Sequence, residues 1–267
     1  MKVSLILPVL NHEDRLEEVL RDIRTNLASL EPEVIVVYDV TRSELLEEVR
    51  AEQAALAERY GVRSVTRTDE RGFGSALRAG FEVSSGDAFL PVMADCSDDL
   101  AAIPRMLGEL EGGADIAVGC RYMPGGGIVG DDLKQRLSRL YSVVMGASSS
   151  LRCRDVSNSF KVYRREVWDK INNEANSFDV SVEMTVKAAA AGYRIAEVPA
   201  VWTNRQAGRS RFSMLGELPN YGRWLLYAAA RLPSRSFLVA VTVGVAASLA
   251  LMAVGRRPPE GRAGSAG

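Results

Sequence analysis

Asp95, Asp98 and Asp99 follow directly on an apolar run at 88–93, AFLPVM. A short apolar run bounded by polar residues reads as a buried strand. In open α/β sheets, ligands bind outside the carboxyl ends of the strands. Three carboxylates at that end can hold a hard divalent cation against phosphate oxygens. Upstream, Gly72, Gly74 and Gly80 punctuate a helical pattern over 72–84. Glycine-bounded helix, strand and acidic loop, in that order, point to nucleotide or nucleotide-sugar chemistry. Asp99 also has a structural use open to it, as the cap of a helix starting near residue 100.

Other chemistries are excluded by what the chain lacks. Its 267 residues contain one histidine, His12, so no two-histidine metal motif exists. A Ser-His-Asp triad would have to use His12, whose neighbours show no nucleophile-elbow pattern; packing or capping is the expected role. There is no Walker A sequence, and no G-x-G-x-x-G follows the first strand, which argues against a Rossmann dehydrogenase. A formal net charge of −1 gives no basic field for nucleic acid. Cys96, Cys120 and Cys153 are widely spaced and odd in number, which fits a reduced setting without a structural zinc.

The elements that must position these residues are legible as patterns. Apolar runs at 3–8, 33–38, 62–65, 87–93 and 115–119 predict strands. Three- and four-residue spacing predicts helices over 12–30, 43–60, 72–84 and 100–110. Their alternation predicts an α/β fold, a mostly parallel, Rossmann-like sheet with helices on both faces. The N-terminus reads as the first strand and carries no signal-peptide pattern. Residues 121–132 read as a glycine-rich lid. A helix is predicted over 133–145, a strand over 156–163, a helix over 178–191 and a strand over 193–198, followed by a basic loop over 203–213. The amphipathic stretch 215–232 carries Tyr221, Trp224 and Tyr227, residues favoured in a membrane interface. Residues 236–254 are 19 residues without a charge, close to the roughly 20 that span a bilayer. The predicted organisation is an α/β domain (1–212), an interfacial helix (213–235), a transmembrane helix (236–254) and a disordered tail (255–267).

Nine segments taken together carry a family resemblance: LPVLNHED (7–14), VIVVYDVT (34–41), RGFGSALRAGFEVSSGD (71–87), MADCSDD (93–99), GCRYMPGGG (119–127), LKQRLSRL (133–140), RDVSNSFKVYRREV (154–167), FDVSVEMTVKAAAAGYRIAEVP (178–199) and NRQAGRSRF (204–212). In this order they resemble the family 2 glycosyltransferases of GT-A fold, most nearly the polyprenyl-phosphate, dolichol-phosphate mannose synthase-like branch. The resemblance implies inverting transfer of one sugar from a nucleotide-diphosphate donor to a polyprenyl phosphate, with Mg²⁺ or Mn²⁺. It implies a single-pass membrane protein with its catalytic domain on the cytoplasmic side.

Carried onto this chain, the resemblance places Pro8, Asn11, Glu13, Asp39, Gly72, Ala94 and Asp95 at the donor. Asp95, Ser97 and Asp99 become the metal ligands, completed by diphosphate oxygens and waters. Asp95, Arg121 and Arg205 become catalytic, and Arg139, Asn158, Lys161, Arg209 and Arg211 line the acceptor phosphate. A lipid phosphate is already an anion and needs cations rather than a base, which suits arginine's fixed fork. Arg136 belongs to the same basic set.

Three motifs depart from the family pattern. D-x-D reads M-A-D, with Met93 for the first acid; D-D-G-S reads Y-D-V-T, with Tyr38 and Val40; Cys120 stands where Ser is common. A branch with M-A-D-x-S-D-D followed by D-x-T-N-S-F-K shares the Met, so it reads as a branch feature. Two alternatives stay open. A non-lipid acceptor would need a carboxylate base, Glu183 or Asp179, and a non-catalytic nucleotide-sugar-binding subunit would tolerate Met93 and Tyr38.

Overall fold

The run VSLILPVL forms β1 (Val3–Leu10), buried along nearly its whole length. Alternate residues serve opposite faces, as the period of two in a strand requires. Leu5 and Leu7 share a core cluster with Leu16 and Val19 of α1 (Leu16–Asn26), Val49 and Leu56 of α2 (Leu46–Tyr60) and Met106 of α4 (Ile103–Glu111). Ile6 packs on the other side, with Phe73 and Leu77 of α3 (Phe73–Val83), Trp168 of α6 (Arg165–Lys170), Val182 of α7 (Val180–Ala190) and Trp224 of α8 (Met214–Arg231). Helices therefore cover both faces, as the alternating pattern predicts.

The computed structural model describes residues 1–13, 15–68, 71–130, 133–204 and 214–234. The remaining strands of the main sheet are β2 (Glu33–Asp39), β3 (Arg63–Arg67), β4 (Ala88–Pro91), β5 (Ile116–Cys120), β7 (Lys161–Arg164) and β8 (Ile195–Pro199). Their order is β3-β2-β1-β4-β7-β5-β8. All neighbours pair parallel except β7, which runs antiparallel between β4 and β5. The chain leaves β1 towards β2 on one side and reaches β4 on the other. That reversal opens a crevice at the carboxyl ends of β1, β2 and β4.

Four local outcomes differ from the sequence reading. The predicted strand over 156–163 shrinks to β7, because the side chains of Asp155 and Asn158 bond to neighbouring backbone and hold 155–160 as a loop. α6 follows β7 without a break, although no helix is predicted there. The glycine-rich segment contributes β6 (Gly127–Val129), which pairs in parallel with β9 (Val201–Thr203). His12 neither packs nor caps: it is exposed, with Glu52 3.6 Å away.

α5 (Leu133–Ser148) and α8 lie against each other, and the Tyr141 hydroxyl donates to the Tyr221 carbonyl at 2.9 Å. α8 is anchored by buried Trp224 and Ala228, and leaves Leu218 and Leu226 exposed. Among the described residues no helix is long and apolar enough to cross a membrane. The expected span at 236–254 and the tail at 255–267 lie outside them.

Lys161, expected at the acceptor, is instead fully buried in the core. Its ammonium donates to the carbonyls of Val156 (2.7 Å) and Ser181 (2.9 Å), joining the loop before β7 to α7. Burial pushes its pKa down to about 8, since low polarity penalises the charged form. Lys161→Met is expected to leave the buried Val156 carbonyl without a donor, while the Ser181 carbonyl keeps the Thr185 hydroxyl at 2.7 Å, and to lower unfolding free energy by about 2 kcal/mol in denaturant titration, with substrate KM values unchanged.

Candidate active site

A cavity of about 620 Å³ opens at the carboxyl ends of β1, β2 and β4. Pro8 and Glu13 reach it from the end of β1, Asp39 from β2, and Ala94, Asp95 and Ser97 from the turn after β4. Gly72 reaches it from the N-terminus of α3. Six of the predicted donor residues therefore share one wall: Pro8, Glu13, Asp39, Gly72, Ala94 and Asp95. Asn11 does not. Its side-chain oxygen accepts from the Thr41 N–H at 2.8 Å and its amide nitrogen donates to the Thr41 hydroxyl at 3.0 Å, so it ties the end of β1 to the end of β2.

Asp39 is held rather than free to move. Arg67 donates to its Oδ1 through Nε at 2.7 Å, and the Gly72 N–H donates to its Oδ2 at 3.1 Å. Gly72 has a φ of +127°, and a Cβ there would lie 2.2 Å from the Asn176 carbonyl oxygen. Gly74 is equally close to the Ala175 oxygen, at 2.2 Å. Only glycine permits this approach of α3 to segment 175–178. It also stacks Phe73 on Phe178, centroids 4.9 Å apart, as a ring wall of the cavity.

The acidic turn divides its residues between two sides. Cys96 takes a left-handed φ of 60°, which leaves Asp95 and Ser97 facing the cavity. Both are buried, and the Ser97 N–H donates to Asp95 Oδ1 at 3.1 Å. Asp98 and Asp99 face a second cavity of about 340 Å³ behind the turn. Asp98 accepts from the Met93 N–H at 2.7 Å. Burial, and then the neighbouring charge of Asp95, raise its pKa to about 7. Asp99 precedes the short turn of helix before α4 but makes no side-chain cap bond; its Oδ2 accepts from the Val201 N–H at 3.1 Å. The structure thus places Asp99, expected among the metal ligands, on the other side of the turn from Asp95 and Ser97.

A divalent cation fits what remains. Asp95 supplies a carboxylate and Ser97 a hydroxyl on the cavity wall, and Mg²⁺ takes one or two carboxylates with waters and phosphate oxygens. Met93, which also lines the cavity, adds no ligand oxygen.

Arg121 lines the cavity but spends its fork on the protein. Nε and NH2 donate to the two oxygens of Asp155 at 2.8 and 2.7 Å. NH1 donates to Gln135 Oε1 at 2.8 Å and NH2 to the Ser138 hydroxyl at 3.1 Å. Four of its five N–H groups are thereby committed. Asn158 lines the cavity beside it, with its amide donating to the Gly119 carbonyl at 2.6 Å. Arg139 lies on the exposed face of α5, its guanidinium 5.8 Å from the Tyr122 ring, and does not line the cavity. Arg205, Arg209 and Arg211 lie outside the described residues.

Sequence reasoning missed Asp155, Gln135 and Ser138, and also Lys134, Trp202 and Glu217, which line the cavity. Gln135 and Ser138 are three apart on α5, a spacing that marks one helix face. The base candidates Glu183 and Asp179 are both engaged elsewhere. Glu183 is fully buried and accepts from the Glu174 and Ala175 N–H groups and from Lys187; Asp179 accepts from Trp224 Nε1 at 2.8 Å.

The far half of the cavity is apolar. Leu137, Leu140, Tyr141 and Val144 of α5 face Leu218 and Tyr221 of α8 across it. Leu140, Val144 and Leu218 are also exposed at the surface, so this half opens outward.

The fold and this site define an α/β protein with a ligand cavity at its strand ends, and comparison with known proteins specifies its family. The family model for glycosyl transferase family 2 matches residues 4–171, and the chain belongs to that family. It is 29% identical over 214 residues to a dolichol-phosphate mannosyltransferase of Pyrococcus furiosus, covering 79% of this chain and 59% of that protein. It is 31% identical to a polyprenol monophosphomannose synthase of Mycolicibacterium smegmatis, covering 61% and 64%. An undecaprenyl-phosphate mannosyltransferase of Micrococcus luteus is 30% identical over 243 residues, covering 85% and 96%. The chain thus spans less than two thirds of the first two relatives and nearly all of the third. Within the family these relatives mark the polyprenyl-phosphate mannose synthase branch. Among solved structures, glucosyl-3-phosphoglycerate synthase of Mycobacterium tuberculosis with UDP superposes with a TM-score of 0.61 at 20% identity, covering 88% and 82%. That likeness establishes the GT-A-like α/β fold. The same enzyme has been solved with Mn²⁺, UDP and glucosyl-3-phosphoglycerate.

The raised pKa of Asp98 has a measurable sign. Between the ordinary value near 4 and about 7, the unfolded chain releases a proton that the folded chain keeps, so this residue lowers stability as pH rises through that window and costs a constant amount above it. Asp98→Asn keeps an acceptor for the Met93 N–H without the charge. In EDTA, its unfolding midpoint relative to wild type is expected to climb from pH 4 to 7 and then level.

Proposed function

We propose that the protein transfers one sugar from a nucleoside-diphosphate sugar to a polyprenyl phosphate, with inversion at the anomeric carbon. The observation that carries this reading is the continuity of the cavity, polar at the strand ends and apolar between α5 and α8. Pro8, Glu13, Asp39 and Gly72 would hold the nucleoside, and Asp95 with Ser97 a Mg²⁺ or Mn²⁺ ion at the diphosphate. When bound, that ion would stabilise the negative charge of the leaving group as a Lewis acid. An oxygen of the acceptor phosphate attacks the anomeric carbon as the bond to the nucleoside diphosphate breaks. The acceptor is already ionised, so no proton need be moved. Lys134, on the helix that supplies Leu137 and Leu140, is placed to draw one anion towards another.

The names of the relatives support this acceptor, and the apolar half would take the first isoprene units. Exposed Leu133, Leu140 and Val143 of α5 and Leu226 of α8 would continue that surface into a membrane. Attachment through 236–254, with this domain on the cytosolic face where nucleotide sugars are made, belongs to the same proposal. Tyr38 gives no support to a non-catalytic subunit, since it packs in the α1 and α2 core and leaves the cavity to Asp39.

A second reading, transfer to a soluble hydroxyl, is favoured by one observation: the M. tuberculosis neighbour is named for a non-lipid product. It would require a base, and Glu217 is the α8 carboxylate on the cavity wall. The test is a panel of labelled donors (GDP-mannose, UDP-glucose, UDP-N-acetylglucosamine) with polyprenyl phosphate and Mg²⁺ or Mn²⁺. A lipid-extractable product is expected, reduced more than about a hundredfold by Asp95→Asn. Glu217→Gln should keep transfer to the lipid; loss of about 10²-fold or more would instead indicate a base and a hydroxyl acceptor.

A further inference from the structure

The two cavities share a partition. One layer is the turn after β4, with Asp95 and Ser97 facing the main cavity and Cys96, Asp98 and Asp99 facing the second. The other is β9 and the residue after it. Trp202 and Asn204 face the main cavity, and Val201 and Thr203 the second, as strand alternation dictates. Two bonds stitch the layers together. The Thr203 N–H donates to the Ser97 carbonyl at 3.0 Å, and the Val201 N–H donates to Asp99 Oδ2 at 3.1 Å. The opposite edge of β9 is held by β6, through the Asn204 N–H to the Val129 carbonyl at 2.8 Å.

We infer that Asp99 is a positioning residue, which couples the Asp95–Ser97 wall to Trp202 and Asn204 so that the two walls move as one when the donor site fills. The inference rests on the donor-site reading above. Asp99 acts through a side-chain oxygen that accepts a backbone N–H. An asparagine oxygen can do the same, whereas a metal ligand would need the charge. The two roles are thus separable by one substitution. Without the stitch, β9 keeps its β6 edge and its Ser97 bond, so the fold survives and the coupling is what is lost.

Binding of GDP and UDP with Mg²⁺ is measured by calorimetry, in parallel with tryptophan emission. Trp202 is half-buried on the cavity wall, whereas Trp168 and Trp224 are buried in the core. Wild type is expected to show an emission change that Trp202→Phe abolishes. Asp99→Asn should keep that change, with affinity within about threefold of wild type, while Asp99→Ala should bind about tenfold more weakly, the weight of one hydrogen bond to a charged group, and lose the emission change even at saturation. Val201→Pro removes the same bond from the donor side, should reproduce Asp99→Ala, and carries the test if that variant does not fold. Loss of binding in Asp99→Asn would make Asp99 a metal ligand and overturn the inference. An undiminished emission change in Asp99→Ala would also overturn it. Failure of wild type to bind either nucleotide would instead overturn the donor-site reading beneath it.

Discussion

A single buried carboxylate fixes the geometry on which the cavity depends. Asp155 is fully buried and accepts from the backbone N–H, Nε and NH2 of Arg121. Arg121 in turn donates to Gln135 and Ser138 of α5. One ion pair therefore joins the end of β5, the loop before β7 and the helix that exposes Leu133, Leu140 and Val143. Such a pair is tolerable in the core because two further N–H groups of the guanidinium are bonded as well, to Gln135 and Ser138; removing one partner of a buried pair typically costs about 3–5 kcal/mol. α5 is thereby held so that Lys134, Gln135 and Ser138 meet the polar half of the cavity while Leu137 and Leu140 line the rest.

The strand-end rule made much of the site legible. Asp39 and Asp95 follow or end apolar runs, and Pro8 and Glu13 flank the end of the first, so an α/β reading alone places them in one crevice. Phase within loops and helices was harder to read. Asp99 looks equivalent to Asp95 until the left-handed turn at Cys96 sends the two to opposite sides. Arg139 carries the charge expected near a phosphate, but its neighbour Ser138 occupies the inward face of α5. Lys161 carries a charge that a strand reading assigns to a surface, and only its two carbonyl partners explain its burial. Asp155 lies 34 residues from Arg121, a separation across which no local pattern announces a pairing.

The two halves of the cavity impose different demands. The polar half is tightly braced: Asp39 is pinned by Arg67 and Gly72, and α3 meets segment 175–178 at a distance only glycine allows. Rigid, prearranged groups suit a step in which charge develops on a leaving group. The apolar half is a cleft between two helices, bordered by exposed leucines and valines. A long apolar chain could lie there and leave through the same opening.

The most direct measurement is transfer of a labelled sugar to a graded series of acceptors, from 3-phosphoglycerate through geranyl phosphate to undecaprenyl and dolichyl phosphates, with one donor and Mg²⁺. A cavity that joins donor and lipid sites predicts that kcat/KM rises with isoprenoid length and that the product partitions into organic solvent. Equal or better transfer to 3-phosphoglycerate would contradict the assignment of the apolar half to a lipid acceptor.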